Sequence, residues 1–126
     1  MMDGCAGTVV SGDFEDPKHV QKLMDREKPD AIVCATDLTA ARLMQTLIGL
    51  GIRVPADVKM VGVDDVSFAK YLPTPLTTMR QDCAEIGAAA MSVMLDRLAH
   101  PGRAVRDVLV RTELVIRASS MNFPVS

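Results

Sequence analysis

Basic charge is in short supply in this sequence: 14 Lys and Arg stand against 16 Asp and Glu, a formal net charge of -2. Nucleic-acid surfaces need a basic stripe or patch, so the chain alone is expected to bind DNA poorly. Cysteine is scarce as well. Cys5, Cys34 and Cys83 are odd in number and lack CxxC spacing, which argues against a disulfide framework and against a zinc site. Buried or half-buried free thiols in a reducing compartment are expected instead. No apolar run approaches the roughly 20 residues that cross a bilayer. The start, MMDGCAGTVV, has neither the basic nor the apolar region of a signal peptide, so a cytoplasmic location is expected. There is no glycine-rich phosphate loop, no GxSxG elbow, and no Cys–His or His–carboxylate pair at useful spacing. No catalytic residue, cofactor or metal is assigned, and a protein that is not an enzyme is expected.

What is present is one compact domain's worth of chain: 126 residues, 48% hydrophobic and 24% charged, with no internal repeat. Thr8-Val9-Val10 is a short strand candidate that closes in Ser11-Gly12-Asp13-Phe14. Asp16 and Pro17 then start a helix, Asp16 as cap and Pro17 at the first position, where its missing N–H costs nothing. Ala31 to Ala35 is an apolar run of strand length, expected to be buried on both faces. Asp37 is read as the cap of the next helix, over residues 38–50, and Val58 to Val63 form a third strand that ends in Asp64-Asp65. The first half is therefore expected to be β-α-β-α-β, which forces parallel strands joined by right-handed crossovers.

The second half has a different rhythm. Val66 to Tyr71 fits a short helix, and Leu72-Pro73-Thr74-Pro75 is extended because residues before proline leave the α region. Leu76 to Gln81 reads as a strand and Asp82 to His100 as the longest helix, stopped by Pro101-Gly102. One or two closing strands are expected within 108–117, and residues 119–126 are expected to be a loose tail. His19 and His100 are both expected at the surface.

In a parallel sheet the residues just after each strand share one edge, and ligands bind there. That edge is expected to gather Gly12-Asp13-Phe14, Thr36-Asp37 and Asp64-Asp65, with Gln81 if its strand ends there too. A carboxylate and an amide can grip vicinal hydroxyls, and a ring can pack on the apolar face of a sugar or purine. Hydrogen bonds to a charged group contribute roughly 1.5–3 kcal/mol each. Each residue has a plainer role as well. Asp13, Asp16 and Asp37 suit turns and caps, and Phe14 suits the core. Asp64 and Asp65, two adjacent carboxylates, repel each other and require a partner.

Four blocks carry a resemblance: Pro29 to Asp37, Leu50 to Val58, Val61 to Asp65, and Pro75 to Gln81. In this order and spacing they resemble the LacI/GalR family of transcriptional repressors, and Glu113 to Ser120 looks like that family's last strand. The resemblance implies an α/β fold with a parallel sheet and helices on both faces, the carboxyl-terminal subdomain of a periplasmic-binding-protein-like sensor, here incomplete. Residues 1–81 would be that subdomain, 82–107 a helix and connection of the amino-terminal subdomain, 108–120 the closing strand and 121–126 the tail. It also implies a small-molecule effector, carbohydrate or related, bound by Asp64, with Phe14 stacking and Gln81 as a further contact. Thr36 stands where the family often has Asn, and Cys83 where an aromatic is sometimes found, so a smaller or less hydroxylated effector than a common hexose is expected.

The same resemblance implies a dimer, with Leu38, Arg42, Phe68 and Leu72 in the matching contact segments. DNA would be met only through a helix-turn-helix absent from this chain, and no membrane contact is implied. Without its normal sheet, the 82–100 helix would leave Ile86, Ala90, Met91, Val93, Met94 and Leu98 facing water, which favours a homo-oligomer. Two other readings stand beside this one: a sugar-binding protein of an uptake system, and a Mg²⁺-dependent hydrolase using Asp64 and Asp65.

Overall fold

The computed structural model describes residues 7–122. In chain order they form α1 (Pro17–Glu27), β1 (Ala31–Val33), α2 (Asp37–Gly49), β2 (Lys59–Asp64), β3 (Thr77–Gln81), α3 (Cys83–Ala99) and β4 (Thr112–Val115). Short 3-10 turns lie at Ala69–Tyr71 and Ala118–Ser120. The α/β class is as expected.

Local chemistry sets most boundaries. The Asp16 carboxylate accepts the Lys18 N–H and Pro17 opens α1, which ends at Lys28 with a left-handed φ of 44°. The cap of α2 is a correction: Thr36, not Asp37, fills it, with Oγ1 accepting the Thr39 N–H at 3.2 Å. Asp37 is already in the helix and fully buried. Asp82 caps α3 by accepting the Glu85 N–H at 2.9 Å.

The sheet has strand order β1-β2-β3-β4. The first three strands are parallel and β4 closes antiparallel on β3, so the sheet is mixed. One face carries Met60, Gly62 and Thr78, all buried toward α2. With Val20, Leu43, Met44, Leu47, Val58 and Leu76 these make the core, and each large aliphatic side chain there contributes about 1.5–3 kcal/mol.

The opposite face is largely bare. β1, expected to be buried on both faces, leaves Val33 76% exposed, and Leu114 is 51% exposed in line with Val63 and Met79. No helix among the described residues covers that side.

The chain's end locks what its middle builds. Ser119 is fully buried; its hydroxyl accepts the Thr77 N–H at 2.8 Å and donates to the Met60 carbonyl at 2.6 Å. Thr77 Oγ1 donates to the Arg117 carbonyl at 3.0 Å. The loose tail expected from 119 is thus corrected at Ser119 and Ser120; residues 123–126 lie outside the described ones.

Three further expectations are overturned, at Thr8–Val10, Cys83 and His19. Thr8-Val9-Val10 forms no strand: no described residue pairs along the outer edge of β1, and Val9 stays in water. Within 108–117 one closing strand forms, Thr112–Val115, as expected, and Leu109 ahead of it is exposed. Cys34 is buried as expected, but Cys83, at the start of α3, is exposed; Cys5 lies outside the described residues. His19 is half-buried rather than on the surface, and its Nε2 has no hydrogen-bond partner among the described residues. His100 is exposed, 3.4 Å from Asp96. No residue of α3 is buried, so Ile86, Met91, Met94, Leu95 and Leu98 face water along it.

Candidate functional site

β2 and β3 run side by side, with Asp64 opposite Arg80 in register. Their ends therefore bring together residues far apart in sequence. Gln81 Nε2 donates to Asp64 Oδ1 at 3.0 Å, so the carboxylate and amide expected to share this edge do meet.

The two adjacent acids are treated unequally. Arg80 Nε donates to Asp65 Oδ2 and Arg117 donates to Asp65 Oδ1, each at 2.7 Å. Desolvation pushes the Asp65 carboxyl upward, but hydrogen bonds and charge from Arg117 and Arg80 outweigh it and hold the group below its ordinary value. Arg117 is itself tied to the Leu76 carbonyl at 2.9 Å, and Arg80 to Glu113 at 3.1 Å. Asp65 is a structural anchor with both oxygens occupied. Asp64, by contrast, has a neutral amide as its partner and keeps acceptor capacity to spare.

The backbone here is strained. Asp64 has φ 116° and Asp65 φ 54°, both in the left-handed region that non-glycine residues seldom enter. Each such residue costs about 1–3 kcal/mol and persists only where its surroundings enforce it. Behind the turn lies Asp37, whose Oδ1 accepts from Thr78 Oγ1 at 2.6 Å and whose Oδ2 accepts the Val66 N–H at 3.0 Å. Thr78 Oγ1 in turn accepts the Asp65 N–H at 3.2 Å.

The remaining expected site residues lie around this centre without joining it. Phe14 is half-buried, packs against the core, and borders a hollow of about 200 Å³ with Gly12, Asp13, Glu15, Thr39 and Arg42. That hollow includes neither Asp64 nor Gln81. Its loop is held by Thr46 Oγ1, which donates to the Phe14 carbonyl at 2.7 Å, and Asp13 serves a turn by accepting the Glu15 N–H at 2.9 Å. Thr36 is engaged as a cap, and Cys83 begins α3 two residues beyond Gln81.

A larger hollow of about 970 Å³ runs along α3, lined by Gln81, Ile86, Ala90, Met94, Val105 and Val108 among others. Its walls are mostly alkyl groups, and the charged residues that also line it include Asp96, Arg103 and Arg106, which are spent on pairing with one another. We therefore place the site at the strand ends. Sequence reasoning missed Thr78, Arg80 and Arg117. The signal for the two arginines was the demand of adjacent carboxylates for cations.

The family of the periplasmic binding protein-like domain matches residues 5–120. The chain belongs to that family, and the relatives it matches include transcriptional repressors. It is 33% identical over 115 residues to the HTH-type transcriptional repressor PurR of Photobacterium profundum, covering 88% of this chain and 34% of that protein. Its fold is shared by solved structures, among them two regulators. The transcriptional regulator CelR–cellobiose complex matches with a TM-score of 0.73 and 28% identity, over 82% of this chain and 32% of that one. The lac repressor dimer bound to operator and the anti-inducer ONPF matches with a TM-score of 0.72 and 28% identity, over 83% and 36%. The chain thus spans about a third of the length of these relatives.

Proposed function

We propose that this chain is the effector-sensing portion of a LacI-type transcriptional repressor and works by binding rather than by catalysis. The observation that carries the reading is the division of labour between the two acids. Asp65 is neutralised by Arg80 and Arg117, while Asp64 stands beside Gln81 with acceptor capacity unspent. Such a carboxylate–amide pair suits a polyhydroxylated small molecule, a carbohydrate or a relative of one. Phe14, Thr36 and Cys83 are the further contacts we assign. Thr36, already engaged as a cap, has less to offer a ligand hydroxyl than an amide would, which fits a smaller or less hydroxylated effector than a hexose.

In the longer repressor, effector binding would shift the sensor between two arrangements and so reposition DNA-binding heads that lie outside this chain. A cytoplasmic location and no membrane contact go with this role. Self-association is part of the reading. Leu38, Arg42 and Phe68 are exposed on the segments assigned to dimer contacts, whereas Leu72 packs on its own core. A two-carboxylate Mg²⁺ site is disfavoured, since both Asp65 oxygens already accept from guanidinium groups.

The test is an NMR titration of the chain with D-ribose, D-glucose and cellobiose. Shifts centred on Asp64 and Gln81, weakened about ten-fold by Asp64→Asn as loss of one charged hydrogen bond predicts, are the expected result. Absence of binding by all three sugars, or shifts confined to the groove along α3, would overturn the assignment.

A further inference from the structure

We infer that Asp37 is the positioning residue of this site, holding the left-handed turn that sets the Asp64 carboxylate beside Gln81. This rests on the reading of Asp64 as the ligand contact and adds what fixes it in place.

Asp37 is fully buried in the first turn of α2, yet it does not cap that helix; Thr36 does. Its carboxylate is directed across the sheet instead. One oxygen accepts from Thr78 Oγ1 and the other from the Val66 N–H. Because Thr78 Oγ1 also accepts the Asp65 N–H, consecutive backbone amides, Asp65 and Val66, are referred to one buried anion, one of them through a hydroxyl. Those amides follow Asp64 directly, and Asp64 and Asp65 carry the positive φ values. Arg117 and Arg80 grip the Asp65 side chain from outside. The turn is thereby clamped on both sides, and Asp64 is the residue left to face outward.

Gly62 supplies an independent observation. It has no positive φ that calls for glycine, but a Cβ on it would collide with Asp37 Oδ1 and come within 2.9 Å of Leu76 Cδ2. The strand leaves out a side chain at the one place where the carboxylate must lie. A helix residue of purely local function would need no such vacancy.

The experiment compares wild type, Asp37→Asn, Thr78→Val and Thr78→Ser by amide hydrogen exchange and by the Asp64 and Asp65 amide–Hα couplings, which report φ. Asp37→Asn and Thr78→Val are expected to speed exchange at Asp65 and Val66 at least ten-fold and to change both couplings, while Val63 and Met79 in the ladder keep wild-type rates. Thr78→Ser, which retains the hydroxyl, is expected to match wild type. Unchanged couplings and exchange in Asp37→Asn, or acceleration spread evenly over the fold, would overturn the inference. Should Asp37→Asn fail to fold, the Thr78→Val and Thr78→Ser pair decides by the same criteria. None of these readouts requires a ligand, so a failed sugar titration counts against the functional reading alone.

Discussion

Gly62 and the Asp37 carboxylate occupy adjoining space with no room between them for a methyl group. A Cβ on Gly62 would meet Asp37 Oδ1, would lie 3.3 Å from Asp37 Cα, and would press on Leu76 as well. Overpacking of a core costs about 1–3 kcal/mol, and displacing a buried carboxylate from its donors adds to that. Gly62→Ala is therefore expected to destabilise the chain by about 2–4 kcal/mol. Urea denaturation measures it; a change within 0.5 kcal/mol of wild type would mean that the Asp37 pocket is slack.

Ser119 is expected to matter more than its place near the chain's end implies. Its hydroxyl satisfies both the Thr77 N–H and the Met60 carbonyl inside the fold. Ser119→Ala leaves these without partners, at about 1–3 kcal/mol. The half-buried neighbour Ser120 has one side-chain contact, to Thr77 Oγ1, so Ser120→Ala should cost less. Urea midpoints of the two variants, measured side by side, test the ranking.

Thiol reactivity should divide by burial. Burial, and after it the charge of Asp37, push the Cys34 thiol up to about 11. It stays protonated at neutral pH and is shielded, whereas Cys83 is exposed. Iodoacetamide at pH 8 followed by peptide mass mapping should label Cys83 in the native chain and reach Cys34 only after unfolding.

Acid should loosen the fold through its paired carboxylates. Asp65 is held below its ordinary value as described above, and hydrogen bonds from Arg53 hold Asp57 at about 2. For groups depressed in the folded state, the stabilisation is complete above the unfolded value, about pH 4, and is lost as pH falls through the folded value. The urea midpoint should accordingly drop between pH 5 and pH 2. Asp65→Asn should flatten that drop, and an unchanged profile would remove Asp65 from the account.

Self-association should follow α3. Five large apolar residues along it are exposed: Ile86, Met91, Met94, Leu95 and Leu98. Sedimentation equilibrium of the isolated chain is expected to show a dimer or larger species, shifted toward monomer by Met94→Lys with Leu98→Lys. A wild-type monomer at tens of micromolar would count against this.

The elements with local signals were legible in the sequence. Pro17 after Asp16 announces α1, the apolar run ending at Val63 announces β2, and Pro101-Gly102 closes the long helix. The meeting of Asp64 with Gln81 was legible too, because strands running in parallel deliver their last residues to one edge. What escaped depends on partners distant in sequence. Thr8 to Val10 has strand composition but no strand beside it. Asp37 sits where an Asp normally caps, and its true partners, Val66 and Thr78, lie 29 and 41 residues onward. Ser119 looks like tail until the 42-residue and 59-residue separations to Thr77 and Met60 are closed.

Those separations give the fold an order in time. A chain made from its amino end exposes β2 and β3 long before Ser119 exists, so the Met60 carbonyl and the Thr77 amide must wait for it, hydrated or borrowed by other donors and acceptors. On the ribosome the sheet cannot be sealed until the stretch around Ser119 has cleared the exit tunnel. Until then the Met60 carbonyl and the Thr77 amide stay open to other partners, and unpaired strand groups of this kind are where chains aggregate while folding.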